Sequence, residues 1–427
     1  MKKININSLI IYTSFFLFFL VATARPFISA ILGNAFVIYV YMIAVVLLLL
    51  LLIRNKKISN KAGFFPAALL AMFLVSLYNN AFLEDGNLQN YVIYFLTLIY
   101  FILLSFAKFD EKKISFLLTM FSIFAILTSI VSIGSALFPN WYIRRIIPLF
   151  PKENYSKIVL NFEFCNEKMG LSTNYSRNAF YMIIGLLINA YLYLKNSKKI
   201  NLLNIALLFS SLLIIGKRSA FLFGIISIAL SYFICNKKSL KIYLKFFAFL
   251  ILAILAFFMI IKLFPAANYM IDRFKVSSDS DFTNGRTEIY NDVWQLFQKN
   301  LYMPLGWGQY AKSTNYTHPG VHNDYLQILC ETGILGFIII IGSDILFLIK
   351  AIKLSKENKK ISYLCLSTII FYMLYATLEL PHYDIETYMF YYLNVYIVYS
   401  EYKKIRMEKI KNENKQFYQK LNNITYR

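Results

Sequence analysis

Charge is what this sequence has least of. Only 15% of its 427 residues are Asp, Glu, Lys or Arg, against 59% that are hydrophobic. A water-soluble domain carries about 25% charged residues. A chain this apolar cannot be wetted all round, which excludes an ordinary soluble enzyme. Acidic residues are the scarcer sign, 22 against 44 basic, for a formal net charge of +22. Such a balance can mark a nucleic-acid protein, but no basic domain with interleaved aromatics stands apart from the apolar segments. Cysteine is limited to Cys165, Cys235, Cys330 and Cys365, with no C-x-x-C spacing, so neither a zinc site nor a redox pair is suggested. A disulfide between Cys165 and Cys330 and two unrelated thiols are both open. Histidine is rarer still: His318, His322 and His382. Internal repeats and low-complexity segments are absent.

What the chain has is long apolar runs, each near the ~20 residues that cross a ~30 Å hydrocarbon core as helix. About 12 spans are expected, near 8–24, 35–53, 63–83, 90–107, 114–138, 178–194, 200–216, 219–235, 242–262, 333–349, 361–378 and 387–400. The fold class is an all-α integral membrane protein, one polytopic domain over 1–427. With the N-terminus inside, the alternate connections are RNKKISNK (54–61), KFDEKK (108–113), KNSKK (195–199), NKKSLK (236–241), KAIKLSKENKK (350–360) and a basic tail from Glu401 to Arg427. Each is basic, as the positive-inside rule expects of cytoplasmic loops. The opposite connections LEDGNLQN (83–90) and LELPHYDIE (378–386) are acidic. Ala22-Thr23-Ala24 resembles a signal-peptide cleavage site, but removing the first span would invert this pattern, so an uncleaved span and two inside termini are expected.

Two outer connections are long, 139–177 and 263–332. Loops of this length are functional or disordered, and their aromatic content argues for packing on the bundle. In the second, Asp279-Ser280-Asp281 and Thr283-Asn284-Gly285 read as turns. The spacing of Ile289, Val293, Leu296 and Phe297 predicts one apolar face of a helix over 286–299. Leu326, Leu329 and Cys330 predict a short helix before the span that opens at Gly333.

Several polar residues sit where polarity is costly. Lys217 and Arg218 lie in a tight turn at membrane level, where a cation is either functional or snorkelling to headgroups. Arg286 begins a helix, the end a cation least favours, which points to a partner or ligand. A neutral imidazole such as His322 can take a proton from a hydroxyl near pH 7. His318 and His322 are four apart, but Pro319 and Gly320 between them argue against a shared metal. Asp324 and Glu331 flank His322, one to orient it and one to cap or pair. Asp344, inside a span, is expected to pair within the bundle. Arg144, Arg145 and Lys168 read as a solvated face, and Arg177 as a helper able to hold phosphate or an acidic sugar.

HNDYLQILCETGILG (322–336), with His322, Asn323, Leu326, Gln327, Glu331, Gly333 and Gly336, resembles the signature of the O-antigen ligase and O-antigen polymerase (Wzy-type) superfamily. NGRTEIYNDVW (284–294) resembles the Gly-Arg helix that precedes it, and GKRSAFLFG (216–224) the arginine turn in mid-chain. Lys217 replaces a small hydroxyl residue of that pattern, and Tyr290 stands where Trp is common. The resemblance implies a membrane glycosyltransferase. Arg218 and Arg286 would bind the pyrophosphate of an undecaprenyl-pyrophosphate-linked glycan, and His322 would activate the acceptor hydroxyl, all three catalytic. Lys217, Arg177, Asn323, Gln327 and Glu331 would bind substrate. No metal and no cofactor is implied. The implied partners are membrane lipids and the pathway's flippase and chain-length regulator, at a bacterial inner (plasma) membrane. Polymerase is expected, with the ligase as alternative. A transporter would spread ionisable residues through pseudo-symmetric halves, which this chain does not do.

Overall fold

The computed structural model describes residues 6–54, 63–76, 88–107, 110–163, 168–236, 285–301, 304–314 and 320–425. The expected span 242–262, the Asp279-Ser280-Asp281 turn, Cys165 and His318 lie outside them. The described elements are helical, with no strand among them. We number the principal helices α1 (Ile6–Arg54), α2 (Phe64–Ser76), α3 (Leu88–Leu104), α4 (Glu111–Leu137), α5 (Tyr175–Asn196), α6 (Lys199–Ile215), α7 (Arg218–Cys235), α8 (Arg286–Lys299), α9 (Asp324–Leu354), α10 (Lys359–Tyr375) and α11 (Ile385–Thr425). Five of them, α1, α4, α5, α7 and α9, are long and apolar enough to cross a membrane.

α1 is a hairpin and not one rod. Gly33 adopts φ 81°, ψ 161°, a region essentially restricted to glycine. Beyond it the chain folds back, so that the Ser14 hydroxyl donates to the Ala44 carbonyl at 2.8 Å and Phe18 meets Tyr41 edge-on at 5.2 Å. The two arms contain the runs 8–24 and 35–53. α9 is broken in the same way at Gly333, with φ 70°, ψ −176°. A first segment therefore carries the 324–332 motif, and the long apolar segment follows.

The interior is aromatic. Phe18 stacks on Tyr100 at 4.0 Å, and Phe101 packs on Tyr392 at 4.7 Å. Large apolar side chains remain exposed at helical spacing, among them Ile123, Leu127 and Ile130 on α4. Water penalises such a stripe; hydrocarbon does not, and helices satisfy their own backbone polar groups there.

The polar connections gather at two opposite ends. At one, Lys195 pairs with Glu111, Asn358 donates to Glu401 at 2.9 Å, and Lys409 reaches Glu357 at 2.7 Å. These are the connections read as inside. At the other end, Arg25 donates to Asn90 at 2.5 Å, Tyr91 to the Trp307 carbonyl at 3.2 Å, and Arg177 to Asp384 at 2.8 Å. These are the connections read as outside.

The segment after α4 has a small core of its own. Short helical turns from Pro139 to Glu163 bury Tyr142, Ile147, Phe150, Ile158 and Phe162 with Met169. Phe150 stacks on Phe27 of α1 at 4.8 Å, which ties it to the bundle. Arg144 and Arg145 are exposed, as expected. Lys168 is not: it is buried, with its Nζ 4.6 Å above the Phe162 ring. Burial pushes its ammonium below the ordinary lysine range, and the ring face compensates part of that cost.

Candidate active site

The His322 end is assembled from three sequence segments and one turn. α8 lies on the first segment of α9, sharing a core of Ile289, Val293, Phe297, Tyr310, Val321 and Cys330, with Leu296, Leu326 and Leu329 around it. The predicted apolar faces of both helices are the faces buried. Cys330 is a free, buried thiol in that core; the core needs an apolar group there and the thiol supplies it.

His322 itself has φ 54°, the left-handed region that residues with a Cβ rarely occupy. Four neighbouring contacts hold it there. The Val321 N–H donates to Gln327 Oε1 at 3.1 Å, and the Tyr290 hydroxyl donates to the His322 carbonyl at 3.4 Å. Asn323 caps α9 by accepting from the Leu326 N–H at 3.1 Å. The Asp324 N–H donates to the Ala376 carbonyl at 2.8 Å. Tyr290, on the helix that Arg286 opens, therefore joins the arginine helix to the histidine turn.

Glu331 and Gln327 are buried inside this unit. Glu331, 0% exposed, accepts from the Gly308 N–H at 2.6 Å, the Tyr310 N–H at 3.0 Å and Gln327 Nε2 at 3.2 Å. The Gly306 N–H donates to the Glu331 carbonyl at 3.0 Å. These polar atoms fasten the 304–310 loop to α9. Asp324 turns away from His322 and accepts from His382.

Arg218 and Arg286 are each the first residue of a helix, α7 and α8. Gly216 closes α6 in the left-handed region at φ 71°, and Gly285 opens α8 at φ 76°. Both turns therefore depend on glycine. Both arginines are partly exposed. A guanidinium at a positive helix end is a doubled attraction for an anion.

The turn 376–384 completes the end of the bundle. Glu379 pairs with the buried Lys217, whose Nζ also sits 4.9 Å over the Tyr175 ring. Asp384 and Glu386 hold Arg177 at 2.8 and 3.4 Å. The three acids of LELPHYDIE are thus the partners of Lys217 and Arg177, and both cations are balanced from within the protein. The sequence order gave no sign of these pairs, since the partners are more than 150 residues apart.

The same turn carries a residue that local pattern missed altogether. His382, buried between α9 and α11, is 2.7 Å from Asp324 Oδ2 through Nδ1 and 3.4 Å from Asp344 Oδ2 through Nε2. Burial opposes its charge, but Asp344 and Asp324 outweigh burial and push the imidazole up to about 10. Asp344 does pair within the bundle, as expected. Among the described residues no cluster of His, Cys, Asp and Glu could hold a metal ion.

The fold and site define a polytopic helical membrane protein with a cationic, histidine-bearing polar end. Residues 203–341 match the family model of the O-antigen ligase. That segment holds Arg218, Arg286 and His322, and the match is consistent with the O-antigen ligase and polymerase superfamily that the three motifs resemble. No curated protein matches the chain.

Proposed function

We propose that this protein transfers a glycan from a polyprenyl pyrophosphate to a sugar hydroxyl on the outer face of a bacterial inner membrane, as the polymerase of lipid-linked repeat units. The observation that carries this reading is the His322 turn: an imidazole on a left-handed backbone, joined through Tyr290 to the helix that Arg286 opens. In this reading Arg218 and Arg286 bind the pyrophosphate, which leaves with growing negative charge. Guanidinium groups meet such oxygens in bidentate fashion, and stabilising developing charge in a water-poor site is a large catalytic contribution. His322 accepts or orients the proton of the acceptor hydroxyl. Asn323 lines the same turn, Gln327 and Glu331 hold it from beneath, and Lys217 and Arg177 shape its edge through the 376–386 acids. The reaction needs no metal in this scheme. Twelve spans with both ends inside would place the His322 end outside, where flipped donor and acceptor meet. A flippase and a chain-length regulator would act before and beside it.

A second reading keeps the same donor chemistry and changes the acceptor: a ligase passing glycan to lipid A–core or a similar lipid. The family match, described as O-antigen ligase, favours it. The test is transfer in vitro by purified protein with a short lipid-linked repeat unit and no added metal. A ladder of longer lipid-linked glycans supports the polymerase. Transfer only to added lipid A–core supports the ligase, and transfer to neither rejects glycan transfer.

A further inference from the structure

Under the His322 turn lies a histidine that the proposed chemistry does not use. His382 is 2% exposed. Its Nδ1 and its backbone N–H both meet Asp324 Oδ2, at 2.7 and 3.0 Å, and its carbonyl accepts the Tyr94 hydroxyl at 2.9 Å. Its Nε2 faces Asp344, which also accepts the Tyr391 hydroxyl. The ring stands edge-on to Tyr372 at 5.0 Å, and Tyr372 stacks on Tyr391 at 4.4 Å. His382 thereby joins α3, α9, α10 and α11 at one point.

Asp324 is two residues beyond His322. A left-handed residue with a Cβ persists only where its surroundings over-determine it. On one side of His322 that is done by Gln327 and Tyr290. On the other it is done at Asp324, whose N–H is held by Ala376 and whose carboxylate is held by His382. The same turn grips Lys217 through Glu379, one residue before Arg218.

We infer that His382 is a positioning residue for His322: its Nδ1 bond to Asp324 fixes the left-handed turn, and the 376–384 segment sets that turn against the Arg218 end of α7. The inference rests on the glycan-transfer reading for its activity readout alone. A residue that only fills space or balances buried charge would use its two ring nitrogens alike; a positioning role through Asp324 uses Nδ1.

Two substitutions separate these roles. His382→Asn and His382→Gln both remove the charge, but the Asn amide falls near the place of Nδ1 and the Gln amide near that of Nε2. In the full-length protein in nanodiscs, His382→Asn retains most of kcat. His382→Gln lowers kcat about 100-fold with KM for the donor unchanged, the cost of a reacting group misplaced by about 1 Å. Hydrogen–deuterium exchange of residues 321–327 gives a second readout, with protection kept in the Asn variant and lost in the Gln variant. Equal behaviour of the two variants in both readouts, or a loss carried by KM, overturns the inference. Should the Gln variant fail to fold, Asp344→Asn, which leaves the Asp324 bond in place, is compared with Asp324→Asn. A kcat loss in Asp324→Asn alone is expected, and equal losses overturn the inference. If the wild-type protein transfers no glycan, the functional reading fails while the exchange comparison still decides the positioning.

Discussion

At the scale of single residues, the His-to-Gly motif divides its labour. Its buried members Gln327 and Glu331 hold the turn together, and His322 at its half-buried start is the reacting group of the proposed transfer. His322→Ala should therefore lower kcat by about 10²–10⁴-fold, the usual worth of a general base, with the unfolding temperature unchanged. Glu331→Ala should do the reverse of a clean catalytic lesion. It orphans the Gly308 and Tyr310 N–H groups and should destabilise by about 3 kcal/mol, read as a lowered melting temperature in detergent. Nothing in the sequence separates these two roles, because the backbone N–H partners of Glu331 lie 21 and 23 residues away in an aperiodic loop. His382 adds a pH dependence. Its folded value is raised to about 10 from an ordinary 6.5, so the folded state holds the proton more tightly than the unfolded chain. The stabilisation is present in full below about 6.5 and is lost as pH rises through about 10. Thermal unfolding from pH 6 to 10.5 should show that decline, and His382→Gln should flatten it.

At the scale of elements, two hinge glycines share one backbone solution. Gly33 turns α1 into a hairpin and Gly333 separates the motif segment of α9 from its apolar segment, both in a region closed to other residues. A Cβ at Gly333 would meet Pro304 at 3.6 Å, an ordinary contact, so the penalty there is conformational and not steric. Gly333→Ala should cost about 1–3 kcal/mol and release the 304–310 loop from Glu331, seen as new proteolytic cleavage in that loop. These elements were legible. Helix 286–299 has a 3.6-residue apolar period and a Gly-Arg start, and the structure begins and ends α8 there. The apolar runs near 8–24 and 35–53 were legible as two helices because Gly33 and Asn34 interrupt them. The 376–384 turn was not. Its three acids looked like a topology signal, yet they serve as counter-charges for Lys217 and Arg177. A sequence written in one dimension shows charge and period; it does not show which distant cation an acid will face.

At the scale of the whole molecule, the proposed reaction depends on sidedness. Polar connections meet at two ends, and only one of them carries His322, Arg286 and Arg218. Donor and acceptor that have already crossed the membrane are reached only if that end faces outward and the basic end, with α11 running on through Lys403, Lys404, Arg406 and Lys411, faces inward. Basic segments beside spans are retained on the cytoplasmic side, and the anionic inner leaflet adds to that preference. The native thiols suit a direct measurement: Cys235, Cys330 and Cys365 are all buried, so with Cys165→Ser as background an introduced cysteine is read alone. Asn291 on α8 and Lys411 on α11 are both exposed and stand at opposite ends. In intact cells a membrane-impermeant maleimide should label Asn291→Cys, and it should label Lys411→Cys only after permeabilisation. Labelling of both without permeabilisation would put the two sites on one side and reject the three crossings expected between them, at 333–349, 361–378 and 387–400. Labelling of Lys411→Cys alone would turn the cationic site toward the cytoplasm, where a lipid-linked donor has not yet been flipped and polymerisation of exported repeat units could not occur.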